Sequence, residues 1–419
     1  MPRQAHSARF VLEQLQVKCL ETYLPPSGSV STSVKGNWMW GTIALTDHGR
    51  ALTSSFAALC LARTGNVLKD EGIMKQGRTQ YAVALQSLQQ ALYDPVLAFQ
   101  DRTLAAIRTL SIYEHLAPTF ARIPTSNEHE VGMAQWCSAA GPTHVSSEYA
   151  LQVFEDLRWC IMNRSIQRHE SSKLGTREWK TLPWQHYPKD CLQNLYDLGF
   201  DLAALLEQVD SNTNLGNTNA SVRKMEHLSL GCLKISKNLE HWYTCNWASQ
   251  GRVQSDVSDD RQAHGLSLSD QPLRHELGEL WQGMNIIYYW CFKLILNGIL
   301  SSLLQQTQQQ EELIASVQDL DLSADIFSNG QAYDGYSPAS SSRDFAQKQE
   351  QLASDSLKLA IDIVLVSPFF LADDTGWLGP QRYFFPLRQA MEHLGKVGSP
   401  FQSDAKTASV RLITRLRAC

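Results

Sequence analysis

Apolar residues recur at steps of three and four along most of this 419-residue chain. That is the period of helices that each bury one face. The densest run, Gly41 to Pro118, predicts three consecutive helices with few residues between them. The first covers about Ile43 to Thr64 and puts Leu52, Phe56, Leu59 and Cys60 on one face. Gly65 then suits the left-handed position that closes a helix. The second covers about Glu71 to Tyr93, with Ile73, Gly77, Tyr81, Leu85, Leu88 and Leu92 in register. Gly77 on that face would admit a closely packed neighbour. Asp94-Pro95 stops the helix, because Pro has no N–H and disfavours the α conformation of the residue before it. Asp101 is placed as N-cap of the third helix. Leu104, Ile107, Leu110 and Tyr113 form its buried stripe, and Pro118 closes it. The short Asp94-Pro95 turn makes the second and third helices packing neighbours.

The same period continues along the chain. Leu12, Leu15 and Leu20 suggest a short amphipathic helix, followed by the Pro/Ser/Gly-rich loop Pro25 to Lys35. Helices are expected at Asn127 to Ala139, Ser146 to Arg168, Cys191 to Val209, Glu226 to Trp247, Leu273 to Gln310, Gln347 to Val366, Pro380 to Lys396 and Asp404 to Leu416. The long one is expected to kink at Gly283 or Gly298. Lys173 to Asp190 is irregular, and its aromatic residues are read as a lid over helix ends. Polar loops are expected near 210–220, 249–271 and 319–343. No alternating run predicts a strand, and no strict repeat occurs. The fold class is therefore all-α: a large irregular array of roughly ten to thirteen helices, with residues 1–40 as an N-terminal helix and loop and 41–419 as one helical domain.

Composition narrows the function. Hydrophobic content of 43% supplies a large core, and charged content of 19% is low. A net charge of −5 argues against a general nucleic-acid surface. The nine cysteines are scattered with no C-x-x-C pair, so they read as buried thiols of a reducing compartment. No signal-peptide core opens the chain. Ile286 to Leu300, which carries Lys293 and Asn297, is too short and polar for a membrane span and reads as a core helix. Asn163 and Asn219 stand in N-x-S sequons without a secretory context.

Chemical motifs are missing. There is no G-x-G-x-x-G, P-loop, H-E-x-x-H or G-x-S-x-G. His129-Glu130 and His169-Glu170 lack a second histidine at helical spacing, and His115 reads as a helix-end residue. Asp373-Asp374 reads as a turn, and Arg411, Arg415 and Arg417 as a solvated helix end. The sequence nominates no catalytic, cofactor-binding or metal-ligating residue, and no cofactor.

Three stretches resemble the fungal-specific transcription factor domain, the regulatory region downstream of zinc binuclear clusters. The first is "ALTSSFAALCLARTG", "YAVALQSLQQALYDP" and "QDRTLAAIRTLSIYEHL", all inside the three-helix run. The second is "EWKTLPWQHYPKDCLQNLYDL" (Glu178 to Leu198), and the third is "YFFPLRQAMEHL" (Tyr383 to Leu394). The match is spread over most of the chain and is specific only as a combination. It implies a nuclear transcription regulator rather than an enzyme, of a kind common in secondary metabolism. The departure is at the N-terminus: Cys19 is the only cysteine before Cys60, so the six-cysteine cluster, its basic linker and its coiled coil are not in this chain. A lost cluster, an incomplete chain and a stand-alone regulator all fit that departure. It puts direct DNA binding and coiled-coil dimerisation in doubt and implies action through the transcription machinery or another regulator, with a homo- or heterodimer left open. The rival readings are a helical interaction scaffold and an enzyme with an unrecognised site.

Overall fold

The computed structural model describes residues 14, 16–24, 37–45, 49–116, 128–212, 219–246, 277, 279–324 and 338–418. These residues form fourteen α-helices and short 3-10 turns, and no strand occurs among them. The helices are α1 Asn37–Ala44, α2 Gly49–Leu68, α3 Glu71–Tyr93, α4 Asp101–Leu116, α5 Glu128–Ala140, α6 Glu148–Arg168 and α7 Arg177–Thr181. They continue with α8 Cys191–Asn212, α9 Asn219–Asn246, α10 Leu280–Ala324, α11 Pro338–Leu365, α12 Ser367–Phe370, α13 Leu378–Lys396 and α14 Gln402–Ala418. Residues 16–23 add a helical segment ahead of α1. The all-α expectation holds.

Helix α2 is the centre of the N-terminal half, packed against α3 and α4. Its buried set runs nearly all round it: Ala51, Ser54, Ser55, Phe56, Ala57, Ala58, Leu59 and Cys60 among others. Small side chains let two helices approach it from different sides. Two sequence expectations fail here. The chain is not one helix from Ile43, because α1 ends at Ala44 and α2 begins at Gly49, whose φ of +63° no continuing helix adopts. Gly65 does not close α2 either. It lies inside the helix, where an added Cβ would stand 2.8 Å from the Met74 nitrogen. Lys69 takes the left-handed conformation instead (φ 55°), and Asp70 caps α3 by accepting from the Ile73 N–H at 3.1 Å.

Helix α3 has the bounds expected of it, and Gly77 does face α2. A Cβ there would lie 3.0 Å from the Ala62 nitrogen. Gly77→Ala gains about 1 kcal/mol of helix propensity, but the obstacle is backbone that cannot step aside. Overpacking of this kind costs roughly 1–3 kcal/mol, so thermal melting should show Gly77→Ala net destabilised.

The stripe of α3 differs from the sequence reading. Gly77, Ala84, Ser87 and Leu88 are buried, whereas Leu85 and Leu92 are 37% and 45% exposed. Helices α3 and α4 touch as expected. Tyr81 stacks on Tyr113 at 4.5 Å and donates to Glu114 at 2.6 Å. Leu104, Ile107, Leu110 and Tyr113 are all buried. Asp101 opens α4 as its first residue rather than capping it.

Helix α10 is longer than expected at its far end, continuing to Ala324, and α11 begins at Pro338. The expected 319–343 loop is therefore helical at both ends. The 210–220 loop shrinks likewise, since α8 reaches Asn212 and α9 starts at Asn219, seven residues before the expected Glu226. The 249–271 loop lies outside the described residues.

The helix extends beyond Ile286 to Leu300, and its stretch Leu280–Gln309 is long and apolar enough by length and composition to cross a membrane. It nevertheless packs against α8, α9, α11 and α13. Ile286, Ile287, Tyr288, Cys291 and Phe292 are buried within the fold, as in a core helix. Asn163 is also buried and donates to Tyr288 Oη at 3.1 Å, so its sequon is out of reach.

The segment 16–24 joins this core, with Cys19, Leu20, Tyr23 and Leu24 buried. Tyr23 donates to Gln381 at 3.0 Å, and its carbonyl accepts the Trp377 N–H at 3.1 Å. The start of the described chain is thus docked on residues near its end.

Candidate functional site

Helix α6 carries the polar centre of the molecule. Fourteen of its residues are buried, including Asp156 and Arg158. Two positions apart on a helix, these side chains leave on nearly opposite sides. Asp156 faces α4 and α13. It accepts from Arg108 Nε at 2.7 Å and from Arg382 Nη2, and all three side chains are at most 4% exposed. Arg382 lies over the Trp159 ring at 3.9 Å. Burial disfavours both guanidinium charges, and Asp156 outweighs it, leaving both held more firmly protonated than usual.

Arg158 faces the other way, toward α8. It donates to the Gln193 side chain at 2.6 Å and to Asp197 at 2.5 Å. Trp184 covers its guanidinium at 4.7 Å, and Lys189 sits over the same ring at 4.1 Å and pairs with Asp197 at 2.6 Å. The aromatic residues of 173–190 form a lid, though over the body of α6 rather than over helix ends. Trp179 and Trp184 are buried on Phe154, and Trp184 roofs the buried Arg158 cation.

Burial alone would raise the Asp156 carboxyl. The charges of Arg108 and Arg382, and their hydrogen bonds, bring it instead from the ordinary 3.8 down to about 2. A carboxyl lowered in the folded state stabilises above its unfolded value and loses that contribution as pH falls through the folded one. The window is therefore about pH 4 down to pH 2, and the contribution at stake is about 2 kcal/mol. Denaturant midpoints should fall across this window in the parent. The fall should be shallower in Asp156→Asn.

Upstream on the same two helices lies a cleft of about 700 Å³, lined by Phe99, Asp101, Arg102, His144, Ser147 and Tyr149 among others. Ser147 caps α6 by accepting from the Ala150 N–H at 2.9 Å, and its hydroxyl donates to Asp101 at 2.5 Å. Arg102 Nε donates to Gln100 at 2.7 Å, and Tyr149 and Thr42 share a hydrogen bond of 2.7 Å. Burial pushes the Tyr149 phenol up to about 12, so it remains protonated at neutral pH. His144 packs on Phe99, with ring centres 5.5 Å apart.

Serine, histidine and aspartate all line the cleft, but the serine donates directly to the carboxylate. A nucleophilic triad requires the imidazole between them. Asp101, Ser147, Arg102 and Tyr149 each hydrogen-bond to protein partners, and the cleft carries both signs of charge.

The two rungs Asp101–Ser147 and Arg108–Asp156 fix α4 and α6 side by side, running in the same direction. The cleft lies at the start of this pair and the ionic cluster lies farther along it.

The residues weighed individually in the sequence fall elsewhere. Glu114 accepts from Tyr81, and His129 lies 3.2 Å from the same carboxylate; the His115 side chain is outside the described residues. His169 ends α6 in the left-handed conformation, with its ring 2.8 Å from Asp210. Asp373 begins a 3-10 turn and pairs with Arg415 at 2.8 Å. Arg415 is thus partly buried against the exposed Asp373, Arg411 is exposed, and the Arg417 side chain lies outside the described residues. Among the described residues no group of three or more metal-ligating side chains is placed to hold an ion. Asp156, Arg158 and Arg382 were not singled out by sequence, because each reads alone as a surface charge.

Comparison with known protein families, curated proteins and solved structures finds no match. The family resemblance rests on the residues quoted for it.

Proposed function

We propose that this chain is a transcription regulator of the fungal-specific transcription factor type, acting in the nucleus through protein partners. One observation carries the reading. The stretches that resemble the family are distant in sequence, yet the first two meet around α6 and the third begins one residue after another of α6's partners. Arg108 comes from the first, Gln193 and Asp197 from the second, and Arg382 immediately precedes the third. A common buried scaffold is a physical reason for those stretches to occur together in one chain. In this reading the cleft receives a small effector.

The reading requires a partner, and α3 leaves Leu85, Leu92 and Tyr93 exposed, followed by Val96. Such an apolar strip favours association. It equally suits a scaffold that binds partners without regulating transcription. Fusing the chain to a heterologous DNA-binding domain separates the two readings. A regulator changes reporter output, and a scaffold leaves it unchanged. The purified chain should bind duplex DNA only weakly and carry no stoichiometric zinc, since its net charge is −5 and its cysteines are scattered. Salt-sensitive nanomolar DNA binding, or two zinc ions per chain, would overturn the partner-dependent reading.

A further inference from the structure

Cys19 and Cys60 lie far apart in sequence and meet in the core where segment 16–24 rests on α2. They are 4% and 0% exposed, and their side chains are hydrogen-bonded to each other. Arg63, one turn beyond Cys60, reaches the same place. Its Nε donates to Thr22 at 2.9 Å, while its buried Nη1 has no hydrogen-bond partner. The Arg63 charge acts on Cys19 and favours an anion there.

The two sulfurs are not equivalent. The hydrogen bond from Cys60 lowers the Cys19 thiol, burial opposes this, and the Arg63 charge adds to the lowering. Burial raises Cys60 well above the usual thiol range, and its hydrogen bond to Cys19 raises it further. One sulfur is the better nucleophile, and the other retains the proton that a leaving hydroxide needs.

We propose that Cys19 and Cys60 form an oxidisable dithiol that a hydroperoxide closes to a disulfide, strapping segment 16–24 covalently onto α2. The Cys19 thiolate attacks the distal peroxide oxygen. The O–O bond breaks, the alcohol or water leaves, and Cys19 becomes a sulfenic acid. The Cys60 sulfur then attacks the Cys19 sulfur, and the hydroxyl departs as water with the Cys60 proton. The sum is two thiols and one hydroperoxide giving one disulfide, one alcohol (water when the oxidant is hydrogen peroxide) and one water. Both sulfurs are buried, so segment 16–24 must open locally from α2 for the oxidant to reach them. None of the eight described cysteines is in a disulfide, so the structure shows the reduced state.

The test treats the whole chain with hydrogen peroxide, blocks remaining thiols, and maps peptides without reduction. Exposed Cys245 is the internal competitor. The expected product is a Cys19–Cys60 cross-link, reversed by dithiothreitol and formed ahead of any product at Cys245. In Cys60→Ser the reaction should stop at a Cys19 sulfenic acid that dimedone captures. In Cys19→Ser, Cys60 should remain a thiol. Oxidation at Cys245 with Cys19 and Cys60 recovered as thiols, or over-oxidation of either without a cross-link, would overturn the proposal. The parent cross-link decides the matter even if a serine variant fails to fold.

Discussion

Asp156→Ala is expected to remove most of the stability of the fold. The substitution leaves Arg108 and Arg382, 0% and 1% exposed, facing each other without the carboxylate that separates them. Breaking a buried ion pair from one side typically costs 3–5 kcal/mol, because the remaining charge keeps its desolvation penalty. Here two charges are stranded, and they repel. Against a typical total of 5–15 kcal/mol, most of the chain should be insoluble or molten at 25 °C. Asp156→Asn retains an acceptor and fills the same space, so it should fall between parent and alanine variant. Glu71→Ala is the control, since it breaks only the exposed Arg78–Glu71 pair at 3.6 Å. Exposed pairs contribute about 0–1 kcal/mol. If Asp156→Ala melts like Glu71→Ala, the polar centre on α6 is not what holds α4 and α13 to it.

Leu88→Asp and Leu85→Asp should differ sharply, although the sequence puts both residues on one stripe. Leu88 is 5% exposed and lies on the buried side of α3, whereas Leu85 is 37% exposed. A carboxylate at 88 would be buried among apolar groups with no partner, costing several kcal/mol. At 85 it would reach water, and the cost is about 1 kcal/mol or less, mainly helix propensity. Melting temperature and soluble yield of the two variants, measured side by side, give the comparison. Equal losses would mean that α3 is rotated from the orientation described. A substitution such as Asp259→Ala, in the polar stretch 249–271, should be silent, and that stretch lies outside the described residues.

Much of the helical layout was legible. The bounds of α3 follow from punctuation that acts locally: Asp70 caps its start, and Asp94-Pro95 stops it. The orientation of α3 was less legible, since Leu85, Leu88 and Leu92 satisfy the same period whichever of them is buried. Gly77 marked the close face correctly, but the small Ala84 and Ser87 next to it gave no apolar signal. Those small residues are buried together with Leu88, whereas Leu85 and Leu92 are not. Gly65 misled because a glycine that permits close approach looks the same in sequence as one that ends a helix. The polar centre was not legible. Arg108, Asp156, Arg158 and Arg382 sit in helices whose faces are buried all round, so the usual rule that charge marks the solvent side fails there. The cleft shares this property. Its Asp101 and Ser147 come from two helix starts, and only the parallel packing of α4 and α6 brings them together.

The docking of segment 16–24 on residues near 377 and 381, and of Asp156 on Arg382, has a consequence for biosynthesis. Asp156 and Arg382 are separated by 226 positions in the chain. At roughly 5–20 residues per second, a ribosome needs about 10–45 seconds to reach the second after making the first. During that time the Arg108–Asp156 pair and the apolar face of the first segment have no cover. The nascent chain must be shielded over that interval, and a premature stop before Trp377 yields a product with a complete first half and no closed core. Quality control should therefore degrade such truncations rather than let them accumulate as shortened chains.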